Sequence, residues 1–250
     1  MARLVIVTIL VSLLSLNLVF ASEYAVDENT VALWHFNEGS GSTVFDETAN
    51  NNDGTIFGAT WTTGKFGNAL DFDGIDDKIT IVKTPSVDLT TQVTLEAWIK
   101  RLSYADGTVI AKNGPYYLSI VNNVVRGGVY ANDGTCPSSC VTPGANTWTY
   151  INGTTSLQVN QWYHLAMSYN GSKVRVFVNG IEENSAQKIG EMPQVSQIVI
   201  IGYGEPGLNW YFNGIIDEVK ISNVARTFNV TGIPPPPEPP QNLSNLITRV

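Results

Sequence analysis

The chain has 250 residues, 22 of them acidic and 14 basic, for a formal net charge of −8. That balance argues against a nucleic-acid partner, which would meet a basic patch. Only 14% of residues are charged, and the plentiful Gly, Thr, Asn, Val and Ile suit strands and turns better than helices.

Met1 to Arg3 makes a short basic start, and a mostly apolar run from Leu4 to Phe20 leads to the small Ala21. The pattern predicts a secretory signal peptide over residues 1–21, cut after Ala21. An uncleaved anchor is the competing reading, because the run approaches spanning length. No later stretch could span a membrane. The remainder is expected to work secreted or at the cell surface, with membrane contact only through an uncleaved signal or a further C-terminal region.

From Trp34 to Ile56 runs WHFNEGSG and then FDETANNNDGTI, where Glu38, Asp46, Glu47, Asn50, Asn51, Asn52 and Asp53 crowd oxygen donors into a loop. Calcium takes about six to eight oxygen ligands of these kinds. The spacing is not that of an EF-hand, and a solvated, turn-rich loop collects the same residues for their backbone conformations. A second acidic cluster follows at Asp71, Asp73, Asp76 and Asp77 around Gly74. In the strand-like VTLEAWIK, Val93, Leu95, Ala97 and Ile99 alternate with Thr94, Glu96, Trp98 and Lys100. Trp98 beside Glu96 could stack on a sugar; the other reading buries the indole in a curved sheet.

GTVIAK, YYLSIV and VVRGGVYA read as three further strands divided by Asn113-Gly114-Pro115 and Asn122-Asn123. Cys136 and Cys140, the only cysteines, are expected to pair in an exported chain. Closing so short a loop contributes roughly 2 kcal/mol. Zinc is disfavoured with two sulfurs and no nearby histidine. Trp148 and Tyr150 follow that loop, and Tyr203, Trp210 and Tyr211 belong to a second aromatic loop. Such rings either bind the apolar face of a sugar or cover the ends of a sandwich.

Gln161 to Glu183 predicts a hairpin, with Tyr163, Leu165, Met167 and Tyr169 on one face of its first strand and Val174, Val176 and Val178 on one face of its second. Asn170-Gly171 is expected to be the tight turn with positive φ at both residues, and Asn179-Gly180 a second turn. In the last strand, Ile215 to Ile221, parity groups Asp217 with Ile215, Val219 and Ile221. A carboxylate there needs a cation or backbone amides as partner. Residues 233–240 are a proline-rich linker of extended geometry, and 241–250 are a tail or the start of a further domain. Asn152, Asn170, Asn229 and Asn242 stand in glycosylation sequons.

Four of these stretches together carry a resemblance. WHFNEGSG with its loop, GNALDFDGIDDKITI, QWYHLAMSYNGSKVRVFVNG and YFNGIIDEVKI are similar, in this order, to segments of the laminin-G-like, concanavalin A-like jelly-roll domains. The likeness covers about Val31 to Phe228 and implies one all-β domain over 22–232, a two-sheet antiparallel β-sandwich. It also implies a structural calcium, for which Glu38, Asp46, Asn52 and Asp217 are the candidate ligands. Related laminarinase-like glucanases carry their acids as E-x-D-x-E or E-x-D-x-x-E on one strand. No such string occurs here: Glu96 stands alone, and Asp217 and Glu218 are expected on opposite faces. His35 and His164 lack a nucleophile motif, so no catalytic residue is assigned. The expected function is non-catalytic recognition of carbohydrate, with Trp148, Tyr150, Tyr203, Trp210 and Tyr211 as binding residues. A structural or protein-adhesion module with a surface-protein partner is the alternative, and a glycoside hydrolase or its accessory domain ranks behind both.

Overall fold

The computed structural model describes residues 22–132, 146–204 and 209–228. The stretches expected to be a signal peptide, a linker and a tail, Cys136 and Cys140, and the sequons at Asn229 and Asn242 lie outside the described residues.

Strands dominate the chain. The first six are β1 (Thr30–Trp34), β2 (Thr43–Val44), β3 (Gly54–Phe57), β4 (Thr60–Thr63), β5 (Asn68–Asp73) and β6 (Lys78–Ile81). A 3-10 turn at Pro85–Val87 leads to β7 (Val93–Arg101), β8 (Gly107–Lys112), β9 (Tyr116–Val121), β10 (Val124–Asn132) and β11 (Asn146–Asn152). The rest are β12 (Trp162–Tyr169), β13 (Lys173–Val178), β14 (Ile181–Gln187), β15 (Val199–Ile201) and β16 (Asn213–Ser222). They form two antiparallel sheets. One runs β14-β13-β12-β7-β16-β5-β4, with β1 also paired to β16; the other runs β11-β10-β9-β8-β15-β6-β3-β2. The expected all-β sandwich is therefore the observed fold.

Period-two alternation decides which face each strand buries. Val93, Leu95, Ala97 and Ile99 of β7, Tyr163 to Tyr169 of β12 at odd positions, and Val174, Val176 and Val178 of β13 face Tyr116, Leu118 and Ile120 of β9 and Val125 and Val129 of β10 in one core. The hairpin of β12 and β13 forms as expected, but its turn chemistry is reversed. Positive φ at both residues occurs at Asn179-Gly180 (φ 49° and 78°), whereas only Gly171 has it in the first turn. There Asn170 Oδ1 accepts the Ser172 and Lys173 N–H groups at 3.1 and 2.8 Å. This side-chain turn spreads the connection over three residues.

A bulge in β16 corrects the parity expected of Asp217. Asp217 pairs with Trp98 and Lys220 with Glu96, so β16 advances three residues while β7 advances two. Glu218, at φ 52°, is the extra residue. Ile216, Val219 and Ile221 consequently enter the core. Asp217 and Glu218 both project from the outer face instead of pointing opposite ways.

Candidate functional site

The outer face of the second sheet gathers aromatics. Tyr116, Leu118 and Ile120 of β9 point into the core, which leaves Tyr117 and Ser119 outside. On β10 the outward set is Arg126, Gly128 and Tyr130, and on β11 it is Trp148, Tyr150 and Asn152. Register aligns these residues in three rows: Tyr130 opposite Trp148, Tyr117 and Tyr150 on either side of Gly128, and Ser119 and Asn152 on either side of Arg126. Trp148 lies 5.3 Å from both Tyr117 and Tyr130, ring centre to ring centre. A glycine at 128 is required because a Cβ there would stand 2.2 Å from the Tyr117 ring. The result is a strip whose outer rings stay accessible, Trp148 at 36% and Tyr150 at 56% exposed.

Arg126 extends the strip. Its Nε donates to Asn152 Oδ1 at 2.8 Å, and its guanidinium carbon lies 5.2 Å from the Tyr150 ring and 5.8 Å from the Trp210 ring. Trp210 arrives from the segment between β15 and β16, held where the Thr108 N–H donates to its carbonyl at 3.1 Å. Of the five aromatics expected in a site, Trp148, Tyr150 and Trp210 are thus brought together. Tyr203 and Tyr211 are half-buried and stack on each other at 4.2 Å, nearly parallel. Tyr117, Tyr130 and Arg126 were missed. Their outward parity is readable in YYLSIV and VVRGGVYA, but the cross-strand register that unites them is not.

The outer face of the first sheet is polar and covered. His164 pairs in register with Trp98, and its Nε2 lies 3.3 Å from Glu96 Oε2. Glu218 accepts the Tyr24 N–H at 2.7 Å and meets His35 Nδ1 at 2.6 Å, a bond that raises the His35 pKa. Lys220 Nζ donates to the Ala25 carbonyl at 3.3 Å. Asp217 Oδ2 accepts the Lys65 and Phe66 N–H groups at 2.7 and 2.9 Å, while Oδ1 is buried without a partner. Burial raises the Asp217 carboxyl to about 7, with the neighbouring Glu218 charge adding to the shift. Trp98 is buried as expected, though outside the sandwich: it lies under Phe66, at 6.0 Å, and Lys65 Nζ, at 4.8 Å.

The calcium ligands expected in the early loop serve another purpose. Asp46 Oδ1 accepts the Leu33 and Thr48 N–H groups, and Oδ2 accepts the Asn52 N–H, Asn52 Nδ2 and Thr48 Oγ1. Asn52 Oδ1 accepts the Thr84 and Ser86 hydroxyls at 2.6 and 2.9 Å. Glu38 Oε1 accepts the Phe45 N–H at 2.7 Å. Five donors saturate Asp46, so these residues fit a hydrogen-bonded pin across the loop better than a calcium site. Nor do Glu38, Asp46 and Asp217 converge. Among the described residues, the acidic groups with ligand atoms within 4.8 Å of one another are Asp73, Asp76 and Asp77. Asp73 and Asp77, with Asp71, line an open pocket of about 440 Å³ beside Leu102 and Asn213. Asp77 Oδ2 is engaged there by the Asp73 N–H at 2.8 Å. Of the sequons, Asn152 is tied to Arg126, and Asn170 is at the tip of the hairpin.

Comparison with known folds agrees with this architecture. The binding domain of Paraclostridial Mosquitocidal Protein 1 superposes with a TM-score of 0.64 at 13% identity, over 82% of this chain and 51% of that one. Domain 4 of AbnA, an extracellular GH43 arabinanase from Geobacillus stearothermophilus solved with arabinotriose, gives 0.57 at 21% identity, over 82% and 97%. The receptor binding domain of botulinum neurotoxin C/D mosaic serotype gives 0.59 at 14% identity, over 81% and 49%. In sequence, the chain is 32% identical over 92 residues to Pappalysin-1 of Mus musculus, a match spanning 36% of this chain and 6% of that protein. No helix among the described residues is long and apolar enough to cross a membrane. The laminin-G-type model of the concanavalin A-like lectin/glucanases superfamily matches residues 73–229, and with more than half its length so matched the chain belongs to that superfamily.

Proposed function

We propose that this domain is a non-catalytic extracellular recognition module that binds carbohydrate on the outer face of the β9–β10–β11 strip. The observation that carries the reading is the exposed pair Trp148 and Tyr150, backed by Tyr117 and Tyr130 and flanked by polar Asn152 and Arg126. Flat rings bordered by amide and guanidinium donors suit a pyranose or furanose, with one apolar face and a rim of hydroxyls. Glycoside hydrolysis calls for two carboxylates flanking the bond, and β9, β10 and β11 carry none. Domain 4 of AbnA, with arabinotriose bound, makes a sugar ligand reasonable on this fold without specifying one.

A glycan array tests the reading. Selective binding is expected, and Trp148→Ala should weaken it by about 2 kcal/mol, roughly thirtyfold in Kd, as the loss of a central aromatic anchor does. Its effect on stability should stay under about 1 kcal/mol, since the ring is partly exposed. A blank array would turn attention to a protein partner on the same face.

A further inference from the structure

We propose that the glycan recognised by this strip is acidic, and that Arg126 receives its carboxylate or sulfate. The inference rests on the carbohydrate reading above and adds the ligand's charge.

The argument begins with what the other arginines do. Arg101 is buried, with Nε and both terminal nitrogens spent on Ser103 O, Leu157 O, Ala105 O and Asn123 Oδ1. Arg175 faces Glu182 at 3.6 Å, and Arg226 meets Asp27 at 2.7 Å. Arg126 alone among the described arginines has neither a carboxylate nor a backbone carbonyl as a partner within the described residues. Only Nε is anchored, by Asn152. Arg101 also lacks an acid but is buried among carbonyls, whereas Arg126 is partly exposed in a chain of formal charge −8, and β9, β10 and β11 supply no acid to neutralise it.

Its setting suits an anion. Tyr150 and Trp210 lie against the guanidinium, which restricts the side chain and leaves less rotamer freedom to lose when a ligand binds. The Asn152 bond fixes the fork's orientation through Nε, leaving the terminal nitrogens to donate. A guanidinium held this way matches the planar pair of oxygens of a carboxylate, or two oxygens of a sulfate ester, through parallel charge-assisted hydrogen bonds. Trp148 and Tyr150 are adjacent on the same face, so a sugar stacked on them would carry an acidic substituent toward Arg126. A neutral sugar would use the rings and leave the fork to water.

The full chain would be titrated against matched pairs that differ in charge: oligogalacturonate and its methyl ester, sialyllactose and lactose, sulfated and unsulfated lactose. The acidic member of at least one pair should bind at least about tenfold tighter, the scale of one charge-assisted bond, and the preference should shrink with added salt. Arg126→Gln should bring the two members of that pair together, while Trp148→Ala weakens both. Arg126→Lys keeps the charge without the fork and should recover only part of the preference; an unchanged unfolding midpoint in both Arg126 variants confirms folding. The uronate, sialate and sulfate arms identify the acid. Trp148-dependent binding of neutral sugars as tight as their acidic partners overturns the charge assignment and leaves the carbohydrate reading standing. A preference that survives Arg126→Gln overturns it equally. No binding to any member, on the array or in titration, overturns both.

Discussion

Asp217 shows how one residue's chemistry depends on a local backbone event. It lies opposite Trp98 on the outer face, and the bulge at Glu218 (φ 52°) lets Val219 and Ile221 turn inward without carrying the carboxylate between the sheets; it is covered by Lys65 and Phe66 and keeps one oxygen unpaired. The folded carboxyl at about 7 stands above its ordinary 3.8. The folded state therefore binds more protons than the unfolded state between these values, and stability falls as pH rises from about 4 to 7. The raised pKa of His35 works in the same direction, because its stabilising contribution is present below the ordinary imidazole range and is lost as pH passes the raised value. Asp217→Asn retains an oxygen for the Lys65 and Phe66 amides and removes the ionisation. At pH 8 it is expected to be more stable than the parent chain, by on the order of 4 kcal/mol, with the difference vanishing near pH 4. Urea melts at the two pH values measure this, and an equal difference at both would refute the assigned ionisation.

At the level of elements, the strip exists because three strands share a register. Tyr117 reaches Trp148 across β10 only because Gly128 lies between them without a side chain. Gly128→Ala forces its methyl into the Tyr117 ring, for an expected cost of about 1–3 kcal/mol. Glycan binding should weaken as well, since Tyr117 supports Trp148. Chemical denaturation and the array read these effects separately. The same dependence on pairing explains the two hairpin turns. Both contain Asn-Gly, yet Asn179-Gly180 takes positive φ at both positions, while Asn170 uses its side chain to close a longer turn. The dipeptide permits either geometry, and the pairing of the flanking strands selects one.

Across the whole molecule, the two sheets present outer faces of different kinds. Among the described residues, the β9–β10–β11 face is aromatic, with Trp148 and Tyr150 exposed, and its strands carry no acid. The opposite one buries Glu96, His164, Glu218 and Lys220 under the segment that precedes β1 and the segment that follows β16, and Asp217 under Lys65 and Phe66. Tyr24 lies edge-on to His164 at 6.0 Å, Phe228 at 5.0 Å, and Arg226 bridges the two segments through Asp27. Removing residues 22–26 should uncover this cluster and lower stability by about 2 kcal/mol, through the lost bond to Glu218 and the lost ring contact. Sugar binding on the far sheet should persist. A thermal melt that does not move on truncation would show that the segment contributes nothing to the fold.

The sequence by itself determined the class of fold, the family and the inward face of most strands, because alternation has a fixed period of two and is written residue by residue. It identified Trp148, Tyr150 and Trp210 as rings in search of a role, and Asp46 and Asn52 as a polar cluster in the early loop. Tertiary structure decided what each of these does. Asp46 is consumed by amide and hydroxyl donors from separate parts of the chain; Tyr203 and Tyr211 pair with each other; Tyr117, Tyr130 and Arg126 join the strip through cross-strand register. The inserted Glu218 in β16 reversed the parity of every residue after it, which a pattern of period two cannot anticipate. Alternation is local, whereas hydrogen-bond saturation, register and bulges arise from the partner strand.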